Sequence, residues 1–394
     1  MVAGIVCEYN PFHKGHLYQL EKTKQAGADA VVCVMSGNYV QRGECAFVDK
    51  WTRARSAVLC GADVVIDLPV PWAVSSAENF ARGSVYLLKQ FGIDVLSFGS
   101  ECDGKKNLLL AAESVKDERV AALIKKYMSE GSSYPSALFK GVNEIYGSEA
   151  AAVVSSPNST LAVEYINQLN ECEGIDFMPV KRKGALHDSD ASDGELLSAS
   201  KIRGDIAGGR LSAAFLPEAS YDGICAMLND GCAPCLISNN ERGILSSLRE
   251  LTPYQLEEYI SDEKGLAQRI YDAMRSARSL NELYESVKVK NYTLSRIRRE
   301  VLCAWLRIPK QTALGLPPYI RILAVSEKGL ELLSAAKKNS AIPVVTRHTE
   351  MQKLSKQAKE IYEIQCSSTD KFALFSPRVR ECGLEQRSPL IVVR

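Results

Sequence analysis

Over its first two hundred residues the chain alternates short β-branched runs with stretches of helical periodicity. That alternation is the mark of a parallel sheet covered by helices on both faces, because a helical crossover is what returns the chain to begin a parallel neighbour. Val2–Cys7, Ala30–Met35, Asp63–Leu68, Asp94–Phe98 and Phe177–Val180 read as strands. Gly15–Gln25, Lys50–Gly61, Asn79–Phe91 and Ser159–Asn170 read as the helices between them. The expected fold class is therefore α/β, a Rossmann-like doubly wound sheet. Such sheets bind ligands in the crevice beyond the carboxyl ends of their strands, so the first βα turn is where chemistry is expected.

The β pattern stops after Arg203, and Leu211–Ile308 reads as helices that form a second, mainly helical domain. Its clearest element is Tyr292–Leu306, where Leu294, Ile297, Val301 and Trp305 mark one buried stripe while Arg296 and Arg299 lie away from it. Beyond Pro317-Pro318, the runs Tyr319–Val325, Glu327–Lys338 and Ile342–Thr346 suggest a strand, helix and strand. This small α/β element, at about 317–350, is expected in or beside the helical domain.

Charge is distributed unevenly. The net charge of +1 conceals +10 over residues 285–394, with 20 Lys and Arg against 10 Asp and Glu, and −9 over the remainder. The basic end is a candidate surface for a polyanion, and a solvated helical face is the plain alternative. The first residues lack the basic flank of a signal peptide, and no apolar run approaches the length of a membrane span, so a cytoplasmic location is expected. Twelve scattered cysteines fit reduced thiols, and Cys232 and Cys235 lack the partners that would complete a zinc site.

The turn after the first strand reads Asn10-Pro11-Phe12-His13-Lys14-Gly15-His16. A helix that starts directly after a strand offers unpaired N–H groups and partial positive charge, a cradle for phosphate. Gly15 lets the backbone approach, and His13 and His16, three apart, face the same side of the first turn. Imidazole donors there can meet phosphate oxygens as charge builds. A second phosphate-type motif, Leu197-Ser198-Ala199-Ser200-Lys201-Ile202-Arg203, begins a helix at the end of the same region, with Ser200, Lys201 and Arg203 as candidate contacts. The two segments read as opposite walls around a triphosphate.

These two motifs resemble the nucleotidyltransferase superfamily with the H-x-G-H and I-S-S-T-x-I-R signatures. Further segments narrow the resemblance: Glu8-Tyr9-Asn10, Ser36-Gly37-Asn38-Tyr39-Val40-Gln41-Arg42-Gly43-Glu44, Asp67-Leu68-Pro69, Phe98-Gly99-Ser100-Glu101, Ser156-Pro157-Asn158, Tyr292-Thr293 and Arg296-Ile297. With them, essentially the whole chain looks like the bacterial tRNA(Met) cytidine acetate ligase family. The resemblance implies an enzyme that adenylates acetate with ATP, releases pyrophosphate and passes the acetyl group to the wobble cytidine of elongator methionine tRNA.

It also implies ATP contacts from Cys7, Glu8, Tyr9, Asn10, Pro11, Phe12, His13, Lys14, Gly15, His16, Leu17, Tyr18, Gln19 and Leu20, and from Gly99, Asn158 and Arg182. ATP is expected as its magnesium complex, with no dedicated metal site in the protein. Two departures stand out: Cys45 replaces an expected proline, and Ala199 replaces the middle serine of the superfamily motif, removing one hydroxyl from that wall.

On this reading residues 1–205 form the catalytic domain, and 206–394 form the mainly helical, basic region expected to bind tRNA. His13, Lys14 and His16 are the candidate catalytic residues, and Arg182 with Lys183 adds strand-end cations. Asn38, Gln41, Arg42 and Glu44 follow the second strand and are expected to line the substrate crevice. Arg296, Arg298, Arg299, Lys337, Lys338 and Arg347 are the candidates for the tRNA-docking surface, while His187 and His348 read as surface or capping residues. Two other functions share these motifs: a cofactor-biosynthesis nucleotidyltransferase that keeps AMP in its product, and a nucleotide-sensing RNA-binding protein without turnover.

Overall fold

The computed structural model describes the 394 residues except 102–103, 156, 171–173, 183–196, 262–264 and 290–291, with the backbone alone at 157–158. Its strands are β1 (Val2–Cys7), β2 (Ala30–Ser36), β3 (Tyr39–Val40), β4 (Glu44–Cys45), β5 (Val64–Leu68), β6 (Val95–Ser100), β7 (Asp176–Lys181), β8 (Ile320–Ser326), β9 (Val344–Val345) and β10 (Ile391–Val393). The main sheet runs β10-β8-β5-β2-β1-β6-β7, with β9 beside β8, and β3 and β4 form a separate antiparallel hairpin. From β5 to β7 every pairing is parallel. The order of those strands reverses direction at β1, which is the switch point where ligands enter such sheets.

Burial on both faces explains why these segments are strands. All seven residues of β2 are buried. Val32 and Val34 join Val64, Ile66, Leu96 and Phe98 in one core, which the helices Ala77–Phe91 and Pro157–Leu169 cover. Val31, Cys33 and Met35 join Ile5 and Val65 in the opposite core, beneath the helix Lys50–Leu59. Each such side chain contributes roughly 1.5–3 kcal/mol by leaving water, so the central strands need no polar face.

Three features depart from or extend the sequence reading. The strand, helix and strand expected beside the helical domain occur as β8, Glu327–Asn339 and β9, but β8 pairs antiparallel with β5 and so extends the main sheet. Between β6 and β7, four helices, Lys105–Ser114, Glu118–Ser129, Tyr134–Tyr146 and Ser148–Ser155, precede the expected one at Pro157–Leu169, making five among the described residues. Near the C-terminus, the helix Lys356–Phe372 and β10 return to the main sheet and its rim.

The helical region has its own core, in which Leu245, Leu248, Leu251, Ile297, Val301 and Trp305 meet Phe372 and Phe375. Tyr39, Cys45, Val70 and Val74, which follow β2 and β5, belong to this same core. The helices therefore rest on the carboxyl end of the sheet. A buried ionic group ties the C-terminal segment to the sheet: Lys50 pairs with Asp67 at the end of β5 and lies 2.8 Å from Glu385, which in turn lies 3.3 Å from Arg321 of β8. The Asp67-Leu68-Pro69 segment thus serves packing through its aspartate. Among the described residues no helix is long and apolar enough to cross a membrane.

Candidate active site

The helix Lys14–Gln25 begins directly after β1, with His13 as its N-cap. Gly15 N–H donates to His13 Nδ1 at 3.0 Å, and His13 N–H donates to His16 Nδ1 at 3.3 Å. This reciprocal capping box satisfies two of the free N–H groups of the first turn. The two rings stack, with centroids 3.8 Å apart. An Nδ1 that accepts an amide proton leaves the neutral ring's own proton on Nε2, so each imidazole presents an Nε2–H donor. Burial, then the charges of Arg182 and Arg203, push His13 down to about 4. Burial, His13 and Arg182 lower His16 well below its ordinary range. Both rings are neutral donors at pH 7, and the capping role and the donor role are the same geometry.

Beneath the rings lies a packed floor. Tyr9 and Phe12 are buried and meet His16 with centroid separations of 4.9 and 5.8 Å. The Tyr9 hydroxyl reaches Cys33 Sγ at 3.5 Å, and Cys7 Sγ donates to the Val34 carbonyl. Leu17 and Leu20 face this core. Gln19 donates to the Ser97 carbonyl at 3.5 Å, and Tyr18 lies beside Lys22. Within the Cys7–Leu20 segment, exposure is greatest at Lys14, on the first turn.

Asn10 and Glu8 join the turn to its neighbours. Asn10 Oδ1 accepts the Phe47 amide at 2.7 Å, and its carbonyl accepts from Arg203 Nη1 at 2.8 Å. Glu8 Oε1 accepts the Gln41 amide at 2.8 Å. Burial raises the Glu8 carboxyl, against the pull of that amide and of Arg203, Arg42 and Arg53. Arg53, which sequence reasoning passed over, is almost wholly buried and donates to the carbonyls of Glu8, Ser36, Gly37 and Val48. It ties the ends of β1 and β2 together. Its position on an ordinary helix gave no signal in sequence.

The second wall is the helix Ala199–Ala207, capped by the Ser198 hydroxyl on the Lys201 amide. Ile202 and Ile206 pack against Phe47 and Val48, which turns Arg203 toward the His turn. Ser200 and Lys201 are exposed at the same helix start, and Ser200 Oγ accepts from Arg203 at 3.4 Å. On the other side, Arg182 continues β7 by donating its amide to the Ser100 carbonyl at 3.0 Å. Its side chain crosses Gly99 so closely that a Cβ there would sit 2.9 Å from Nε. Arg182 lies against Gly99, Arg203 donates to the Asn10 carbonyl, and the charges of both reach His13, so these groups border the His turn. Lys183, His187 and the Asn158 side chain lie outside the described residues. This set fits an ATP triphosphate: neutral N–H donors, two cations and a helix start converge there.

The crevice residues divide. Gln41 is half-buried, Arg42 is exposed, and Glu44 carries ion pairs to Arg298 and, at 3.8 Å, to Arg203. Asn38, expected at the crevice, is buried instead, accepting the Lys50 amide and donating to Thr369 Oγ1, because it anchors the hairpin to the C-terminal helix.

The basic surface divides as well. Arg298 binds Glu44, and Arg299 donates to the Gln41 carbonyl at 3.2 Å, so both point at the β3–β4 turn. Arg296 lies over Tyr292 and reaches Ser261 Oγ at 3.2 Å. Lys337, Lys338 and Arg347 are exposed, with Lys337 3.6 Å from Glu350. His348 Nδ1 lies 3.1 Å from the Tyr362 hydroxyl.

Comparison with known proteins agrees with this architecture. The HIGH Nucleotidyl Transferase family matches residues 1–387. A tRNA(Met) cytidine acetate ligase of Acetivibrio thermocellus is 33% identical across 100% of both chains, and one of a Thermoanaerobacter species is 35% identical across 99% of both. The crystal structure of Thermotoga maritima TmcAL in its apo form superposes with a TM-score of 0.92 at 31% identity, and its alpha-thio ATP complex with 0.90 at 30%, each covering 100% of both chains. The chain belongs to the tRNA(Met) cytidine acetate ligase family of HIGH nucleotidyl transferases.

Proposed function

We propose that this protein is an ATP-dependent ligase that forms acetyl-adenylate and transfers the acetyl group to the exocyclic amine of the wobble cytidine of elongator methionine tRNA. The observation that carries the reading is the stacked, neutral His13–His16 pair at a helix start opposite Arg203, within a chain related over its full length to such ligases. Cytosine's amine is a poor nucleophile because its lone pair is delocalised into the ring, so the acid must first be activated. An acetate oxygen attacks the α-phosphate of ATP, the bond to the β-phosphate bridging oxygen breaks, and pyrophosphate leaves. The cytidine amine then attacks the acetyl carbon, AMP departs, and the amine loses its proton.

The protein's contribution to the first step is alignment and charge stabilisation. The Nε2–H donors of His13 and His16, Lys14 and the helix N-terminus meet the phosphates, with Arg182 and Arg203 on either side. Neutral imidazoles need no proton change to act this way. The tRNA, read at an unstacked anticodon base, docks on residues 206–394. With Arg298 and Arg299 turned inward and Arg296 engaged by Ser261 and Glu300, the exposed Lys337, Lys338 and Arg347 carry that surface.

The test supplies ATP, labelled acetate and elongator methionine tRNA with either cytidine or uridine at the wobble position. Label should enter only the cytidine tRNA, with one AMP and one pyrophosphate per acetyl group. Labelling without ATP would refute the reading. Transfer of AMP onto phosphopantetheine would favour cofactor synthesis.

A further inference from the structure

The turn between β3 and β4 is held from above and below. From above, the helix Leu294–Leu306 presses on it at Gly43, whose φ is +75° and where a Cβ would lie 2.6 Å from the Arg299 nitrogen. Only glycine suits both the left-handed backbone and that approach. Arg298 and Arg299 then grip the Glu44 carboxylate and the Gln41 carbonyl. From below, the turn reaches the ATP-side loop through the Gln41 amide on Glu8, and through Glu44, whose Oε2 lies 3.8 Å from Arg203 Nη2. Arg203 is held on its other side by the Asn10 carbonyl at 2.8 Å.

We propose that Glu44 is a positioning residue for ATP: anchored by Arg298, it restrains Arg203 beside the His turn, so the helical region orients a phosphate-binding cation of the catalytic crevice. The proposal rests on the reading that Arg203 meets the phosphates. Physically, an arginine on a short helix keeps several free rotamers, and ordering it costs entropy that binding must otherwise supply. A carboxylate anchored from the opposite element removes part of that cost in advance. Arg298, expected from sequence to meet RNA, acts within the protein instead. The same contacts give the tRNA-docking region a physical connection to the site of adenylation.

Steady-state acetate-dependent pyrophosphate exchange, without tRNA, tests this in the full-length protein. E44Q keeps the side chain's shape and removes its charge. It should raise KM for ATP roughly 5- to 10-fold, the scale of weakening one charge-assisted contact, while kcat changes less than about 3-fold. R298Q should reproduce the effect, and R298K, which keeps a charge opposite Glu44, should fall between R298Q and wild type. The decisive arm is epistasis: in an R203Q background, E44Q should add no further change in KM. An equal and additive rise in that background would overturn the proposal. So would an unchanged KM in E44Q beside a raised KM in R203Q. If R203Q itself leaves KM for ATP unchanged, the parent reading of Arg203 fails, and the two failures are distinguishable.

Discussion

The turn at residues 9–16 and the helix Leu294–Leu306 both carry basic or imidazole side chains close together in the chain, yet the fold uses them in opposite senses. At the turn, Nδ1 of His13 accepts the Gly15 amide and Nδ1 of His16 accepts the His13 amide, which leaves each neutral ring's proton on Nε2. On the helix, Arg298 and Arg299 spend their donors on Glu44 and the Gln41 carbonyl of the same molecule. The difference lies in what packs opposite. A helix start at a sheet switch point faces a crevice, whereas the helix flank faces a hairpin rich in acceptors. Residue type and spacing alone do not separate a binding group from a brace.

The largest expected effect is at the turn. His16→Ala should lower acetate-dependent pyrophosphate exchange by ~10²-fold or more, the scale of losing one preorganised donor to developing charge. His13→Asn should do likewise while retaining a good helix cap, so its denaturation midpoint should stay close to wild type. Unchanged exchange in both variants would erase the distinction between the two regions.

Much of the contrast was legible in sequence on one side only. The strands around the switch point could be read because burial on both faces leaves near-continuous apolar runs, as in Val31–Met35. The His turn could be read because its residues are adjacent in the chain. The partner of β8 could not, since β5 lies some 250 residues earlier and pairing across that span leaves no local pattern. For the same reason Lys50, Arg53, Arg321 and Glu385 look like solvated charges in sequence, although each is buried with partners from distant elements. The strand β10, three residues long, is too short to carry periodicity.

A second, smaller effect concerns the brace. Gly43→Ala should destabilise the protein by about 1–3 kcal/mol, combining the left-handed backbone cost with contact against Arg299. Chemical denaturation measures it, and a neutral result would mean that the helix does not bear on the turn.

Electrostatic docking sharpens the same division. Reversing exposed Lys338 or Arg347 to Glu should reduce the salt dependence of tRNA affinity by roughly one unit per lost phosphate contact. Arg298→Glu should leave that slope as it is. A slope that responds to Arg298 and ignores Lys338 and Arg347 would exchange the assigned roles.

The smallest effect is in pH. His13 has a folded pKa of about 4, below the ~6.5 of an unfolded histidine, so the unfolded chain binds the proton more readily. Stability due to the neutral ring is fully present above ~6.5 and is lost as pH falls toward about 4. The urea midpoint of wild type should therefore fall more than that of His13→Asn between those limits. Equal losses would show that His13 is not held neutral.

The central claim is that this crevice activates acetate with ATP before any RNA is engaged. Exchange of labelled pyrophosphate into ATP, measured with the purified protein and no tRNA, tests it most directly. Exchange should appear with acetate and vanish when the acid is omitted or replaced by phosphopantetheine. Exchange that proceeds without any acid, or only with phosphopantetheine, would contradict the account.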